Sequence, residues 1–120
     1  MSEIKSAKQS PRYEHDKFIW FEGDTFAISL DITLTDLDTN ENIILTDHDE
    51  IIVSFYQSNI LVHKFVFDSF EDGNKVILNF NDKITKKFPA GIYNYTITYK
   101  GVNTTTIVAN NIVEVEKCLQ

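Results

Sequence analysis

A chain of 120 residues is long enough for one compact domain with one core and too short for two. Its hydrophobic share of 42%, with nine Phe, five Tyr and Trp20, points to a core rich in rings. Eighteen acidic against eleven basic residues give a formal charge of −7, which repels phosphate backbones and anionic headgroups and argues against nucleic acid and membrane surfaces as partners.

Residues 1 to 17 differ in kind from the rest of the chain. They carry four basic and three acidic groups, near +1, while the remainder carries seven basic and fifteen acidic, near −8. Sparse apolar content and Pro11 predict an N-terminal arm, extended or flexible, either a floppy tail, the commoner case for termini, or a segment that orders by docking on a neighbour. Ile4, Pro11 and Tyr13 are its candidate anchors. Lys5, Lys8 and Arg12 are its candidate contacts to an acidic partner surface, including another copy of the −8 body. The opening Met-Ser-Glu-Ile-Lys lacks the apolar middle of a signal peptide, so the expectation is a soluble protein made in the cytoplasm without export. The lone Cys118 cannot form an internal disulfide and is read as an incidental thiol.

Residues 18 to 120 read as a succession of strands. Phe18-Ile19-Trp20-Phe21 is the first, and the turn formers Glu22-Gly23-Asp24 close it. Phe26, Ile28, Leu30, Ile32 and Leu34 then alternate with Thr, Ala, Ser and Asp, the pattern of an antiparallel strand with one wet face. Asp36 to Asn42 is a polar turn, Ile43-Ile44-Leu45 a short apolar piece, and Asp47-His48-Asp49-Glu50 a second acidic turn. Ile51, Val53 and Phe55 form a strand that Gln57-Ser58-Asn59 turns back into Leu61 to Phe67 as a hairpin. After Asp72-Gly73, the residues Val76, Leu78 and Phe80 alternate again. Asn81 or Asp82 caps one helical turn over Lys83 to Phe88, which Pro89 and Gly91 end. Ile92 to Tyr99 meets a turn at Lys100-Gly101-Val102-Asn103 and returns along Thr104 to Val115, with Asn110-Asn111 as a candidate bulge.

These elements predict an all-β, immunoglobulin-like antiparallel β-sandwich of about seven to nine strands with one short helical turn; a closed barrel is the alternative. Gly23-Asp24-Thr25-Phe26 opening a long strand, Ile51-Ile52-Val53-Ser54-Phe55, and Phe88-Pro89-Ala90-Gly91-Ile92-Tyr93-Asn94-Tyr95 before a terminal hairpin resemble the immunoglobulin-like N-terminal domain of phage baseplate upper proteins and related virion attachment domains. The resemblance spans roughly residues 20 to 117. It implies a structural protein of a tailed-phage virion, decorating or attaching at capsid, neck, tail or baseplate. Its partners would be other virion subunits, including copies of itself, held by arm and strand edges.

Chemistry-bearing patterns are few. Asp36, Asp38, Asn40 and Asp47 fall at the first, third, fifth and twelfth positions of a calcium loop. Glu41 stands where that loop needs glycine and no flanking helices are predicted, so the stretch reads as a solvated turn with calcium as the alternative. His15, His48 and His63 lack metal-ligand spacing, and no Ser sits in a nucleophile-elbow or Ser-x-x-Lys context. The chain is therefore read as non-enzymatic and without a cofactor. Tyr93, Tyr95 and Tyr99 share one strand face with Ile97, a core stripe in this reading and a sugar-stacking platform in the alternative of a carbohydrate-binding sandwich.

Overall fold

The computed structural model describes residues 10–70 and 73–117. Eight strands and one helical turn come in the order β1 Arg12–Glu14, β2 Lys17–Phe21, β3 Phe26–Asp31, β4 Glu50–Gln57, β5 Ile60–Phe67, β6 Lys75–Phe80, α1 Asp82–Thr85, β7 Gly91–Lys100 and β8 Thr105–Glu116. They form a six-stranded sheet in the order β1-β2-β8-β7-β4-β5 and a two-stranded sheet, β3-β6, packed as a sandwich. The sheets stay separate and do not close into a barrel. All strand pairs are antiparallel except β2 with β8, which run parallel with Trp20 beside Val115, so the large sheet is mixed. A parallel pair needs a long crossover, and the elements from β3 to β7 provide it.

Three sequence expectations shift in detail. The alternating stretch from Phe26 pairs with β6 only as far as Asp31. Beyond it Ile32 and Leu34 stay buried while the backbone leaves the ladder, held by Ile32 N–H on Asn74 O and an isolated Thr35 to Asn42 bridge. The bulge in β8 falls at Val108, since Ile97 pairs with Ala109 and Thr98 with Ile107, whereas Asn110 and Asn111 are in regular register. Finally, the stretch read as an arm already enters the sheet at Arg12, where β1 folds back on β2 through a two-residue turn. His15 and Asp16 hold positive φ of 52° and 63° in that turn, a conformation that carries no Gly to announce it in the sequence.

The core is built from the inward positions of both sheets, in the period-2 pattern that strands impose. Ile51, Val53 and Phe55 of β4 lie beneath Leu78 and Phe80 of β6, and Val113 and Val115 of β8 complete the large-sheet side. Rings fill the centre. Trp20 lies 5.0 Å from both Phe26 and Phe80 and 5.8 Å from Phe88, and Phe55 meets Phe88 edge-on at 5.4 Å. Each such pair adds about 0.5–1.5 kcal/mol to the burial of its area. Asn81 caps α1 by accepting the Ile84 N–H, and Phe88, wholly buried, ties the helical turn into the core. Gly91 then starts β7 at φ 157°, and the Tyr93 hydroxyl donates back to the Pro89 carbonyl. A tyrosine hydroxyl bonded to the backbone a few residues upstream has the geometry of a tyrosine corner.

Candidate docking interface

The structure distributes the sequence-derived site residues over several places. Asp36 closes its own loop: its Oδ1 accepts the N–H of Asp38 at 2.9 Å and of Thr39 at 3.4 Å, and its carbonyl accepts Asn40 N–H at 2.7 Å. Asn40 takes φ 60°, completing a self-contained turn between Thr35 and Asn42. Asp47 belongs to the next turn, open to solvent with His48 Nε2 3.7 Å away, while Asp49 there accepts Thr46 N–H and the Tyr99 hydroxyl. Among the described residues no three His, Cys, Asp or Glu side chains gather closely enough to hold a metal ion. Nor is any helix among them long and apolar enough to cross a membrane.

The tyrosines of β7 are interior groups. Tyr93 and Tyr95 are buried, Tyr95 packs 5.8 Å from Phe55, and Tyr99 is half-buried with its hydroxyl on Asp49, so the row offers no exposed stacking platform. Burial raises the pKa of all three phenols, with Glu22, Tyr13 and Asp49 respectively adding to it. His63 packs edge-on against Phe65 at 4.7 Å and lies 3.2 Å from Lys87 Nζ; burial first, then that ammonium, lower its pKa.

Of the arm candidates, Ile4, Lys5 and Lys8 lie outside the described residues, whereas Pro11, Arg12 and Tyr13 are placed. Arg12 is engaged within the chain, its Nε 2.8 Å from Glu14 Oε1 and its Nη2 3.0 Å from Glu116 Oε1. Lys17 bridges to Glu114 at 2.6 Å beside it. Together these groups weld the hairpin to β8. Tyr13 stacks edge-on upon Phe18 at 5.0 Å and leaves half its surface to solvent.

The two ends of the large sheet are unlike. β1 is three residues long and carries Arg12 and Glu14, the short and charged form by which sheets blunt an edge. β5 has eight residues and one formal charge, Lys64. It pairs with β4 on one side and with no strand among the described residues on the other. Ser58 and Asn59, at φ 51° and 67°, form the tight turn that swings it there, and a bulge between Phe55 and Tyr56 twists the pair. Ile60, Leu61 and Val66 are each about half exposed or more, Ile60 at 70%. The sequence predicts a hairpin here without showing which strand is terminal. The one signal it carries is the composition of Ile60 to Phe67, apolar on both faces where a strand with one wet face alternates.

Comparisons of this chain with protein-family models, with curated proteins and with solved structures return no match.

Proposed function

We propose that this chain is a non-enzymatic structural protein of a tailed-phage virion, an attachment or decoration module of capsid, neck, tail or baseplate that acts through protein–protein contacts. The observation that carries the reading is the long, apolar edge of β5, unpaired among the described residues, set against the short and charged edge at β1. Such an edge is a row of backbone donors and acceptors prepared for one more strand, and Ile60, Leu61 and Val66 supply side-chain contacts beside it. Each backbone hydrogen bond gained adds about 0.5–1.5 kcal/mol net, so the ladder fixes register while the flanking apolar side chains must supply much of the affinity.

The virion setting rests on the resemblance of Gly23-Asp24-Thr25-Phe26 and of Phe88 to Tyr95 to phage baseplate domains. The first of these stretches leads into β3 and the second turns α1 into β7 around the Tyr93 corner. Partners are other virion subunits and further copies of this chain.

The test is compositional. Particles banded from the source are digested and their peptides quantified by mass spectrometry. Peptides of this chain at a fixed ratio to the major capsid protein are the expected result; a chain confined to the particle-free fraction overturns the reading.

A further inference from the structure

Among the described residues, the three large apolar side chains most open to solvent are Leu37 at 92%, Val102 at 80% and Ile44 at 73%. All three belong to one end of the sandwich, where β3, β5 and β7 finish and β4, β6 and β8 begin. Residues 32–49 are pinned to that end by Asn74, through Ile43 and Leu45, and by the Tyr99 hydroxyl on Asp49. Leu37 stands in the turn that Asp36 closes, with the Asp36 N–H on the Glu41 carbonyl at 2.8 Å, and is held outward there. The same stretch, 32–49, carries five carboxylates and neither Lys nor Arg, and the β7–β8 turn from Gly101 to Thr104 adds no charge. This end is therefore apolar at its tips and negative around them.

The N-terminal segment leaves the domain at the opposite end. Ser10 Oγ accepts the Phe21 N–H, and Phe21 pairs with Glu116 at the finish of β8. Before Ser10 come Met1 to Gln9, which lie outside the described residues and carry Ile4 together with Lys5 and Lys8 against Glu3. The twelve residues of β8 put about 36 Å between the two ends. Ile4 precedes Ser10 by six residues, a reach of at most about 20 Å. Within one chain, Ile4 cannot meet Leu37, Ile44 or Val102.

We infer that the segment Met1–Gln9 of one copy docks on the loop end of another, with Ile4 against Leu37, Ile44 and Val102 and with Lys5 and Lys8 among the carboxylates of residues 32–49. The inference rests on the reading of the chain as an assembly module, and it names a partner and the place that receives it. Charge selects the pairing: two Lys against one Glu, near +1, meet five carboxylates with no Lys or Arg, near −5. The wider repulsion between two chains of net charge −7 acts over longer distances, which salt screens beyond about 8–10 Å. Donor and acceptor sit at opposite ends of the domain, so the contact is heterologous and each copy gives one segment and receives one. Such contacts close as a reciprocal pair or a ring, or run on as a chain. The open edge of β5 takes no part in them.

Sedimentation equilibrium of the full chain tests this, with concentrations reaching about 1 mM, where even millimolar contacts are populated. The expected mass climbs from 13.8 kDa to twice that value or more. Lys5→Glu with Lys8→Glu is expected to weaken the association by about tenfold. Two full-length variants then separate the ends. The giving variant carries Leu37→Asp and Val102→Asp, and the receiving variant carries Ile4→Asp, Lys5→Glu and Lys8→Glu. Each alone stays at 13.8 kDa with circular dichroism unchanged, and their mixture reaches twice that mass and stops, because one contact is left to form. Should the doubly substituted loop variant misfold, Val102→Asp alone replaces it. A wild-type chain at 13.8 kDa throughout, association that persists in either variant alone, or a mixture that stays at 13.8 kDa overturns the docking. A monomer that still co-purifies with particles removes this inference and leaves the virion reading standing; complementing variants of a chain absent from particles do the reverse.

Discussion

The Tyr93 hydroxyl donates to the Pro89 carbonyl four residues back, across the corner where α1 gives way to β7. Tyr93 is buried and its ring sits 5.1 Å from Phe88, so the bond fixes the corner from inside the core. Tyr93→Phe keeps the packing and strands the carbonyl, and it is expected to cost about 1–2 kcal/mol in urea unfolding with an unchanged m-value. An unaltered midpoint would show that water serves the Pro89 carbonyl equally well.

Phe88 joins Trp20, Phe55, Phe80 and Tyr93 in one ring cluster and has no exposed surface. Phe88→Ala leaves a cavity between both sheets and α1. The expected loss is about 3–5 kcal/mol, a large part of the 5–15 kcal/mol of an ordinary domain. Thermal unfolding checks it, and a loss below about 1 kcal/mol would mean that the cluster collapses around the gap.

Asn74 holds the loop before β4 onto the small sheet. Its Nδ2 donates to Ile43 O at 2.7 Å, its Oδ1 accepts Leu45 N–H at 2.9 Å, and its carbonyl accepts Ile32 N–H. Asn74→Ala removes two of these three bonds. It should lower stability by about 1–3 kcal/mol and speed amide exchange at Leu45 well before β4 is affected. Equal acceleration in both places would show that the loop and strand open as one unit.

Stability is expected to peak between mildly acidic pH and about pH 10. His63 has a folded pKa below its usual 6.5, so as pH falls through that value the unfolded chain takes up the proton first and stability declines. Glu114, lowered by its hydrogen bond to Lys17, adds a second decline below its usual 4.5. Tyr93, Tyr95 and Tyr99 are shifted above 10.0, so the unfolded chain loses those protons first and stability drops again on the alkaline side. Urea midpoints across pH, beside His63→Phe, separate the steps; an acid limb unchanged in that variant would remove His63 from it.

Strand patterning is legible wherever alternation is long. Val53, Phe55, Val76, Leu78, Phe80, Tyr93 and Ile97 face the core as their spacing requires. The start of α1 is legible too, because Asn81 acts locally by accepting the Ile84 N–H, but its end is not, since the helix closes at Thr85 rather than running to Phe88 where Pro89 and Gly91 would end it. The β1 hairpin is hidden, since His15 and Asp16 turn the chain without Gly and the low apolar content of the segment suggests an arm. Arg12 looks like a cation for a partner because its acceptor Glu116 lies 104 residues away. The open edge at β5 depends on sheet order, a property of the whole chain that no local spacing encodes. The same holds for the parallel seating of β2 on β8, where neither strand alone names its neighbour.

Docking through the open strand edge is tested by amide hydrogen exchange of the chain in purified particles against the isolated protein. The expected result is added protection confined to alternate amides of Ile60 to Phe67, the outward-facing set that an incoming strand would bond. Unchanged exchange along β5 in the particle-bound chain would contradict it.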